Sequence, residues 1–274
     1  MFRIGQLGDV MIFFALGPLQ AGTAGRKFSI ETPSARTTLI ALLIEEGRPV
    51  QTPVLLKRIW ESPPKSAASN LRLYVSRLRD QLNSIDPELG GRISTIRGGG
   101  GESGGYLLRI TADDLDIMRF QQITARGLGE LRAGDPDAAS ASLTRALGLW
   151  RGAVGQDCVF SSRVRAQFDT LDQLRTTARE RLIEALLSLG RSAELLPEIR
   201  RVLELEPHRE KSWENLIRAH YLSGDIANAL GAWNLASEAL RDGFGLDLSP
   251  DLRRLHLAVL RRDDDAIRRF TEFS

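Results

Sequence analysis

The second half of the chain limits the possible folds most strongly. After Asp113 the sequence shows no strand pattern, and helical segments follow one another, separated by glycine and proline. The predicted helices lie at about 115–132, 137–150, 163–189, 192–205, 210–222, 225–242 and 251–262. A chain of 274 residues has room for roughly two domains. We therefore predict one domain over residues 1–110 and an all-α domain over residues 111–274.

The helical half contains an internal repeat. Alignment on Gly134, Gly190 and Gly224 places Ala139, Leu195 and Ala229 five residues on, and Leu143, Ile199 and Trp233 nine residues on. The step from Gly190 to Gly224 is 34 residues, as in tetratricopeptide arrays, whereas the step from Gly134 to Gly190 is an irregular 56. Small residues at such positions let paired helices pack closely. The pattern predicts stacked helical hairpins of the tetratricopeptide type.

The first half has a different order of elements. Residues 11–30 alternate loosely around a turn at Gly17-Pro18, which predicts a small antiparallel sheet. Helices are predicted at roughly 34–46, from Thr52-Pro53 to just before Pro63-Pro64, and from Ser66 to about Leu82. Two strand-like segments, 93–97 and 106–110, then flank a glycine-dense tip, as in a β-hairpin. Three helices followed by a hairpin are the order of a winged helix-turn-helix domain, so the chain is predicted to be mainly α with an α+β first domain.

The third of these helices has two contrasting faces. Leu71, Tyr74, Val75, Leu78 and Leu82 recur at spacings of 3–4 on one face, and the other face carries Asn70, Arg72, Ser76, Arg77 and Arg79.

Charge points to the same region. Residues 1–110 hold 14 Lys/Arg and 9 Asp/Glu, a net +5, whereas residues 111–274 hold 23 and 26, a net −3. The segment from Lys57 to Arg79 has six basic residues and Glu61 as its one acid. A charge run alone is usually a solvated face, but here it lies on the helix that enters the major groove in helix-turn-helix proteins. The coincidence favours DNA binding.

Other function classes find little support. The glycine run from Gly98 to Gly105 lacks the lysine and the helix that a phosphate-binding loop requires, and the three histidines have no acid, serine or metal-ligand partners in the pattern. Cys158 is the one cysteine, and its simplest interpretation is a small, partly buried side chain. We predict no enzyme activity, no metal and no cofactor. The longest apolar stretch, Val10 to Leu19, is too short to span a membrane, and a cytoplasmic location fits best.

The whole chain resembles the Streptomyces antibiotic regulatory protein family, in which a winged helix precedes a bacterial transcriptional activation domain. The matching motifs in the first half are Leu16-Gly17-Pro18-Leu19, Ile59-Trp60, Asn70-Leu71, Tyr74-Val75-Ser76-Arg77-Leu78-Arg79 and Gly105-Tyr106-Leu107-Leu108. Those in the second half include Leu149-Trp150-Arg151-Gly152 and Glu206-Pro207. The resemblance covers about residues 12–262.

The resemblance also implies roles for particular residues. It implies that Arg77 is the principal base reader, that Asn70 and Arg79 hold phosphates, and that Arg72, Leu73 and Ser76 face the groove. Thr95 and Arg97 match wing positions near the DNA backbone and the minor groove. The residues implied to contact RNA polymerase and its sigma factor, together with the helical domain, are Glu61, Pro63, Pro64 and Lys65.

Two hypotheses follow. The first is a transcriptional activator that binds direct repeats in promoter DNA as a dimer, recruits RNA polymerase and controls an antibiotic biosynthetic gene cluster. The second is a helical-repeat scaffold that docks a protein partner, with only nonspecific DNA affinity. The specificity ratio over random DNA separates them, because a true operator binder reaches about 10³ or more.

Overall fold

A computed structural model describes residues 11–23, 25–98, 103–192, 195–268 and 270. The chain divides into two compact units. The first unit runs to Gln122 and takes in Gly148–Gln173, and the second unit comprises Ile123–Leu147 and the chain from Leu174 onward. The predicted boundary at residue 110 thus lies within the first of these units, and the division of the chain at that residue stays a prediction.

The first unit begins with a small antiparallel sheet. Strands β1 (Phe13–Phe14), β2 (Gln20–Thr23) and β3 (Arg26–Ser29) pair in sequence order, and the register joins Phe13 to Ala21 and Ala21 to Phe28. Phe13 and Ala21 are fully buried. The alternation in residues 11–30 therefore predicted this sheet correctly, and residues 1–10 lie outside the described part of the chain.

The winged helix follows the sheet directly. Its elements are α1 (Pro33–Leu43), β4 (Val50–Gln51), α2 (Thr52–Ile59), α3 (Ala67–Ile85), α4 (Pro87–Gly91), β5 (Ile93–Ile96) and β6 (Gly105–Leu108). Helix α1 ends three residues earlier than predicted, because Glu46 and Gly47 have left-handed φ angles of +52° and +82°. Strand β6 is central in a second antiparallel sheet of order β4-β6-β5. The predicted hairpin is thus present, with β4 as an added third strand.

A buried carboxylate in the first unit bonds backbone groups that lie about one hundred residues earlier in the chain. Asp116 is 1% exposed, and its side chain accepts hydrogen bonds from the backbone N–H of Ala15 at 2.8 and 2.9 Å and of Leu16 at 3.0 Å. The Arg151 guanidinium lies 3.5 Å from the same carboxylate. Burial raises the pKa of Asp116, whereas the two N–H donors and Arg151 act in the opposite direction. Residues beyond 110 are therefore part of the packing that holds the N-terminal sheet.

The rest of the described chain is helical. Its helices are α5 (Asp116–Arg132), α6 (Pro136–Leu147), α7 (Ser162–Ser188), α8 (Leu196–Leu205), α9 (Glu210–Leu222), α10 (Ile226–Phe244), α11 (Pro250–Arg261) and α12 (Asp264–Arg268). Gly134, Gly190 and Gly224 follow α5, α7 and α9 with φ of +77°, +76° and +82°, so each turns the chain between two paired helices. The prediction of a mainly α chain with a winged helix at its start is confirmed.

Helices α7 to α12 contribute to one apolar core in the second unit. Residues of the aligned repeat, among them Ile199 and Ala229, are fully buried there, together with residues of α11 and α12. Among the residues that the structure describes, no helix is both long enough and apolar enough to cross a membrane.

Candidate nucleic-acid interface

Helix α3 presents an exposed polar stripe. Six exposed residues in the middle of the helix recur at spacings of three and four, which places them on one face: Ser69, Arg72, Leu73, Ser76, Arg77 and Asp80. Leu73 is 47% exposed, although leucine side chains are usually buried. The stripe contains four of the predicted DNA-contacting residues, and these four can offer two guanidinium groups and a hydroxyl to a groove.

The opposite face holds the helix in place. Leu71, Val75, Leu78 and Leu82 are at most 1% exposed and form the buried side of α3, as the periodicity predicted. The rings of Trp60 and Tyr74 lie with their centroids 5.6 Å apart, which packs the end of α2 against α3. Because one face is locked by packing, the rotation of α3 about its axis is fixed. The exposed stripe therefore points in one direction.

Free guanidinium groups distinguish two of the arginines. Within the described part of the chain, Arg72 and Arg77 have no hydrogen-bond or ion-pair partner, and both are exposed. A guanidinium that makes no internal bond keeps its planar fork of donors for an external acceptor such as a base edge or a phosphate.

Arg79 is arranged differently. Its Nε and Nη2 atoms donate to the carbonyl oxygen of Ile93 at 3.2 and 3.0 Å, and Nη2 also donates to Thr95 Oγ1 at 2.9 Å. Both acceptors lie on β5, the first strand of the wing. Arg79 therefore ties the recognition-type helix to the wing. Arg79 and Thr95 are both predicted to contact DNA, and their side chains are hydrogen-bonded to each other.

The other two residues that are predicted to contact DNA, Asn70 and Arg97, lie near the start of α3 and just beyond β5. Asn70 donates from Nδ2 to Ser66 Oγ at 3.2 Å, at the start of α3. Arg97 is exposed just beyond β5. The glycine-dense tip of the wing lies partly outside the described residues, at 99–102.

The loop between α2 and α3 is anchored at its start. The Glu61 carboxylate accepts hydrogen bonds from the backbone N–H and the hydroxyl of Ser162, at the first residue of α7. The Ser162 N–H bond is the largest effect that lowers the pKa of Glu61, followed by the hydroxyl and, more weakly, by Arg163. Pro63, Pro64 and Lys65 are exposed. Of the four residues predicted to contact polymerase, Glu61 is thus already engaged within the unit.

Sequence reasoning missed two members of the stripe, Ser69 and Asp80. Asp80 is exposed, four residues after Ser76 and three after Arg77, so it lies next to both on the face of α3. The spacing could have revealed it, but its negative charge excluded it from a search for basic residues. A carboxylate at this place disfavours phosphate, and it can accept a bond from the amino group of cytosine.

We expect Arg79→Ala to lower the free energy of unfolding by about 1 kcal/mol, because the bonds to Ile93 and Thr95 are lost. The slope of log DNA affinity against log salt concentration should also fall by about 0.9, because the guanidinium keeps its positive charge while it bonds neutral acceptors and can still neutralise a phosphate. Arg79→Lys, which keeps the charge but not the fork, is the matched control; it should lose similar stability and keep the slope. An unchanged slope in the alanine variant would show that Arg79 braces the wing without neutralising a phosphate.

A three-helix core, a hairpin wing and a cationic exposed face on the third helix together define a winged-helix regulator. Comparison with known families agrees with this class. Residues 29–100 match the family model "Transcriptional regulatory protein, C terminal", and residues 115–260 match the model "Bacterial transcriptional activator domain". The chain therefore belongs to the Streptomyces antibiotic regulatory protein family of transcriptional activators.

Individual relatives span most of this chain. The regulatory protein DnrI of Streptomyces peucetius is 30% identical over 254 residues, which cover 90% of this chain and 91% of DnrI. The transcriptional regulatory protein EmbR of Mycobacterium tuberculosis is 33% identical over 253 residues, which cover 91% of this chain but 63% of EmbR. A solved structure of EmbR in complex with a low-affinity phosphopeptide matches with a TM-score of 0.81 over 92% of this chain and 65% of that one. This chain thus spans just under two thirds of the length of EmbR.

Proposed function

We propose that the protein is a sequence-specific transcriptional activator that binds promoter DNA through α3 and the wing. The observation that carries the proposal is the exposed stripe of α3, in which Arg72 and Arg77 have no internal partner among the described residues. A planar fork of donors matches the O6 and N7 acceptors of guanine in the major groove. The basic excess of residues 1–110 adds sequence-independent attraction for phosphates.

The proposed division of roles follows the partners of each side chain. Arg77 reads a base, Arg72, Leu73 and Ser76 face the groove, and Asn70 and Arg97 contact the backbone or the minor groove. An exposed leucine beside two arginines suits apolar contact with a thymine methyl group. Arg79 holds a phosphate and Thr95 meets the DNA backbone, and the hydrogen bond between these two side chains ties the wing to α3.

The proposed partners come from the family. Members with names such as DnrI and RedD are regulators in Streptomyces. In this proposal two protomers bind direct repeats in the promoters of a secondary-metabolite gene cluster, in the cytoplasm. The exposed residues Pro63, Pro64 and Lys65 then contact RNA polymerase and its sigma factor. The paired helices of the second unit offer a further surface for protein contact.

The proposal is tested by footprinting the purified protein on promoters next to its own gene, followed by transcription in vitro with purified polymerase. An activator protects repeated sites, prefers them over random DNA by about 10³-fold or more, and raises transcript levels. A helical-repeat scaffold with nonspecific affinity would show neither the preference nor the activation.

Arg77→Ala should cost about 1–3 kcal/mol in operator binding and relax the preference at one base position, because a bidentate contact is lost. Arg77→Lys is the matched control, since it keeps the charge but cannot make the forked contact, and it should lose the same preference. The measurement is affinity for the operator and for single-base variants. Unchanged affinity ratios in both variants would remove Arg77 from base reading.

A further inference from the structure

A cavity of about 250 Å³, here called the α1 cavity, lies within the first unit, where the end of α1 meets the beginnings of α5 and α7. Its apolar lining consists of Leu43 and Ile44 at the end of α1, Ile117 of α5, and Phe168 and Leu171 of α7. Four of these five side chains are at most 8% exposed, and Ile44 is half-buried. Pockets for drug-sized ligands enclose about 300–1,000 Å³, so the α1 cavity suits a smaller molecule.

Two side chains of opposite charge, Glu46 and Arg48, line the same cavity. Among the residues that the structure describes, the Glu46 carboxylate and the Nη1 and Nη2 atoms of Arg48 have no hydrogen-bond or ion-pair partner, and the two side chains do not pair with each other. Arg48 bonds only through Nε, which donates to the Glu45 carbonyl oxygen at 3.1 Å. The Glu45 carboxylate is paired with Arg58 instead. The cavity therefore offers one free anionic acceptor and one free cationic donor pair.

The backbone at Glu46 is unusual for a glutamate. Its φ of +52° lies in the left-handed region, which glycine and asparagine adopt at less cost. Arg262 is the one other non-glycine residue of the described chain with a positive φ. Residues held in such conformations cluster at ligand-binding sites. The chain thus keeps a carboxylate at the cavity against the backbone preference of that position.

Two amide side chains complete the polar lining. Gln121 of α5 is half-buried and Gln167 of α7 is exposed, and neither has an internal partner among the described residues. The hydroxyl of Thr170, also in the lining, donates to the Ala166 carbonyl oxygen of its own helix at 3.2 Å. An amide both donates and accepts, so the two glutamines can bond either charged group of a ligand.

We propose that the α1 cavity binds a small zwitterion with an apolar body, which is the chemistry of a free aromatic or branched-chain amino acid. The Arg48 guanidinium holds the carboxylate, the Glu46 carboxylate holds the ammonium group, and the five apolar side chains hold the body. A ligand with a single charge leaves one of the two side chains without a partner, and an uncharged apolar ligand leaves both. The inference concerns binding in the first unit and goes beyond the proposed function.

The test is calorimetric titration of the full chain with L-phenylalanine and with L-leucine. Phenylpropanoate, phenethylamine and phenylethanol are titrated beside them, because they lack the ammonium group, the carboxylate and both groups, respectively. The variants are Glu46→Gln and Arg48→Gln. Their matched controls are Glu31→Gln, an exposed glutamate of the same unit, and Arg132→Gln, an exposed arginine whose Nε also donates to a backbone carbonyl oxygen. Thermal unfolding without ligand shows whether each variant is folded.

We expect one L-phenylalanine to bind per chain, and each cavity variant to weaken its affinity about tenfold, because a charge of the ligand loses its partner. Both control variants should bind as the unaltered chain does. Glu46→Gln should leave phenylpropanoate binding unchanged, and Arg48→Gln should leave phenethylamine binding unchanged. A general loss of packing cannot produce that selectivity.

Three results would overturn the inference. The first is that neither amino acid binds the full chain at millimolar concentration. The second is that phenylethanol binds as tightly as L-phenylalanine, which would assign the cavity to uncharged apolar molecules. The third is that a folded variant binds L-phenylalanine normally or weakens all probes equally. The ligand series on the unaltered chain decides the matter even if a variant fails to fold, and none of these results bears on DNA binding through α3.

Discussion

Asp116→Ala is expected to lower the free energy of unfolding of the first unit by about 3–5 kcal/mol. The substitution leaves the buried N–H groups of Ala15 and Leu16 without their acceptor, and each unsatisfied group costs about 1–3 kcal/mol. It also leaves Arg151 without the carboxylate that lies 3.5 Å away. The loss of stability is measured by chemical denaturation, monitored through a spectroscopic signal that comes from the first unit.

Asp113→Ala is the matched control, because Asp113 is exposed three residues earlier, and it should change stability by no more than about 0.5 kcal/mol. Equal stability of the Asp116 and Asp113 variants would show that the carboxylate contributes little. The same reasoning applies to truncation. A fragment ending at residue 110 lacks Asp116, so it is expected to lose the support of Ala15 and Leu16, and it tests DNA binding less cleanly than point variants of the full chain do.

Insertion of half a helical turn between the two operator repeats is expected to weaken binding about 100-fold or more. Two protomers on direct repeats present their α3 helices to one side of the DNA when the repeats recur at about 10–10.5 bp. Insertion of about 5 bp turns the second site to the opposite side of the duplex, so the second protomer no longer gains from the high effective concentration that the first provides. Titration of both operators in one gel-shift series measures the change.

Insertion of a full turn is the control, and it should partly restore binding because the two sites face the same side again. Mutation of one repeat should weaken binding about as much as the half-turn insertion does. If the half-turn operator bound as tightly as the original, the two protomers would not dock in tandem.

Elements with a long periodic pattern could be predicted from the sequence, whereas strand β4 and helix α4 could not. The pattern of α3 predicted its start within one residue and its end three residues too early, and it predicted the buried face, since Leu71, Val75, Leu78 and Leu82 recur at the helical period. Strand β4 has two residues, and its partner β6 lies more than fifty residues later in the chain. Two residues cannot show an alternation. Helix α4, at Pro87–Gly91, is likewise too short for a period to appear.

The candidate site shows the same limit. Spacing alone places Arg72 and Arg77 on the exposed face of α3, and the structure agrees. The bonds of Arg79 depend on where β5 passes, and those of Glu61 depend on where α7 begins, a hundred residues further on. Such contacts are set by tertiary packing, and no local pattern of residue types encodes them.

The bond between Ala15 and Asp116 has a consequence for how the protein is made. The two residues are 101 positions apart in the sequence. Asp157, which accepts a hydrogen bond from the backbone N–H of Leu19, lies 138 positions after it. At about 5–20 residues per second, a ribosome needs roughly 5–30 s to deliver those partners. The N-terminal strands therefore leave the ribosome well before their acceptors exist. The unit that carries α3 reaches its finished state only after Ile123–Leu147 of the second unit has been synthesised.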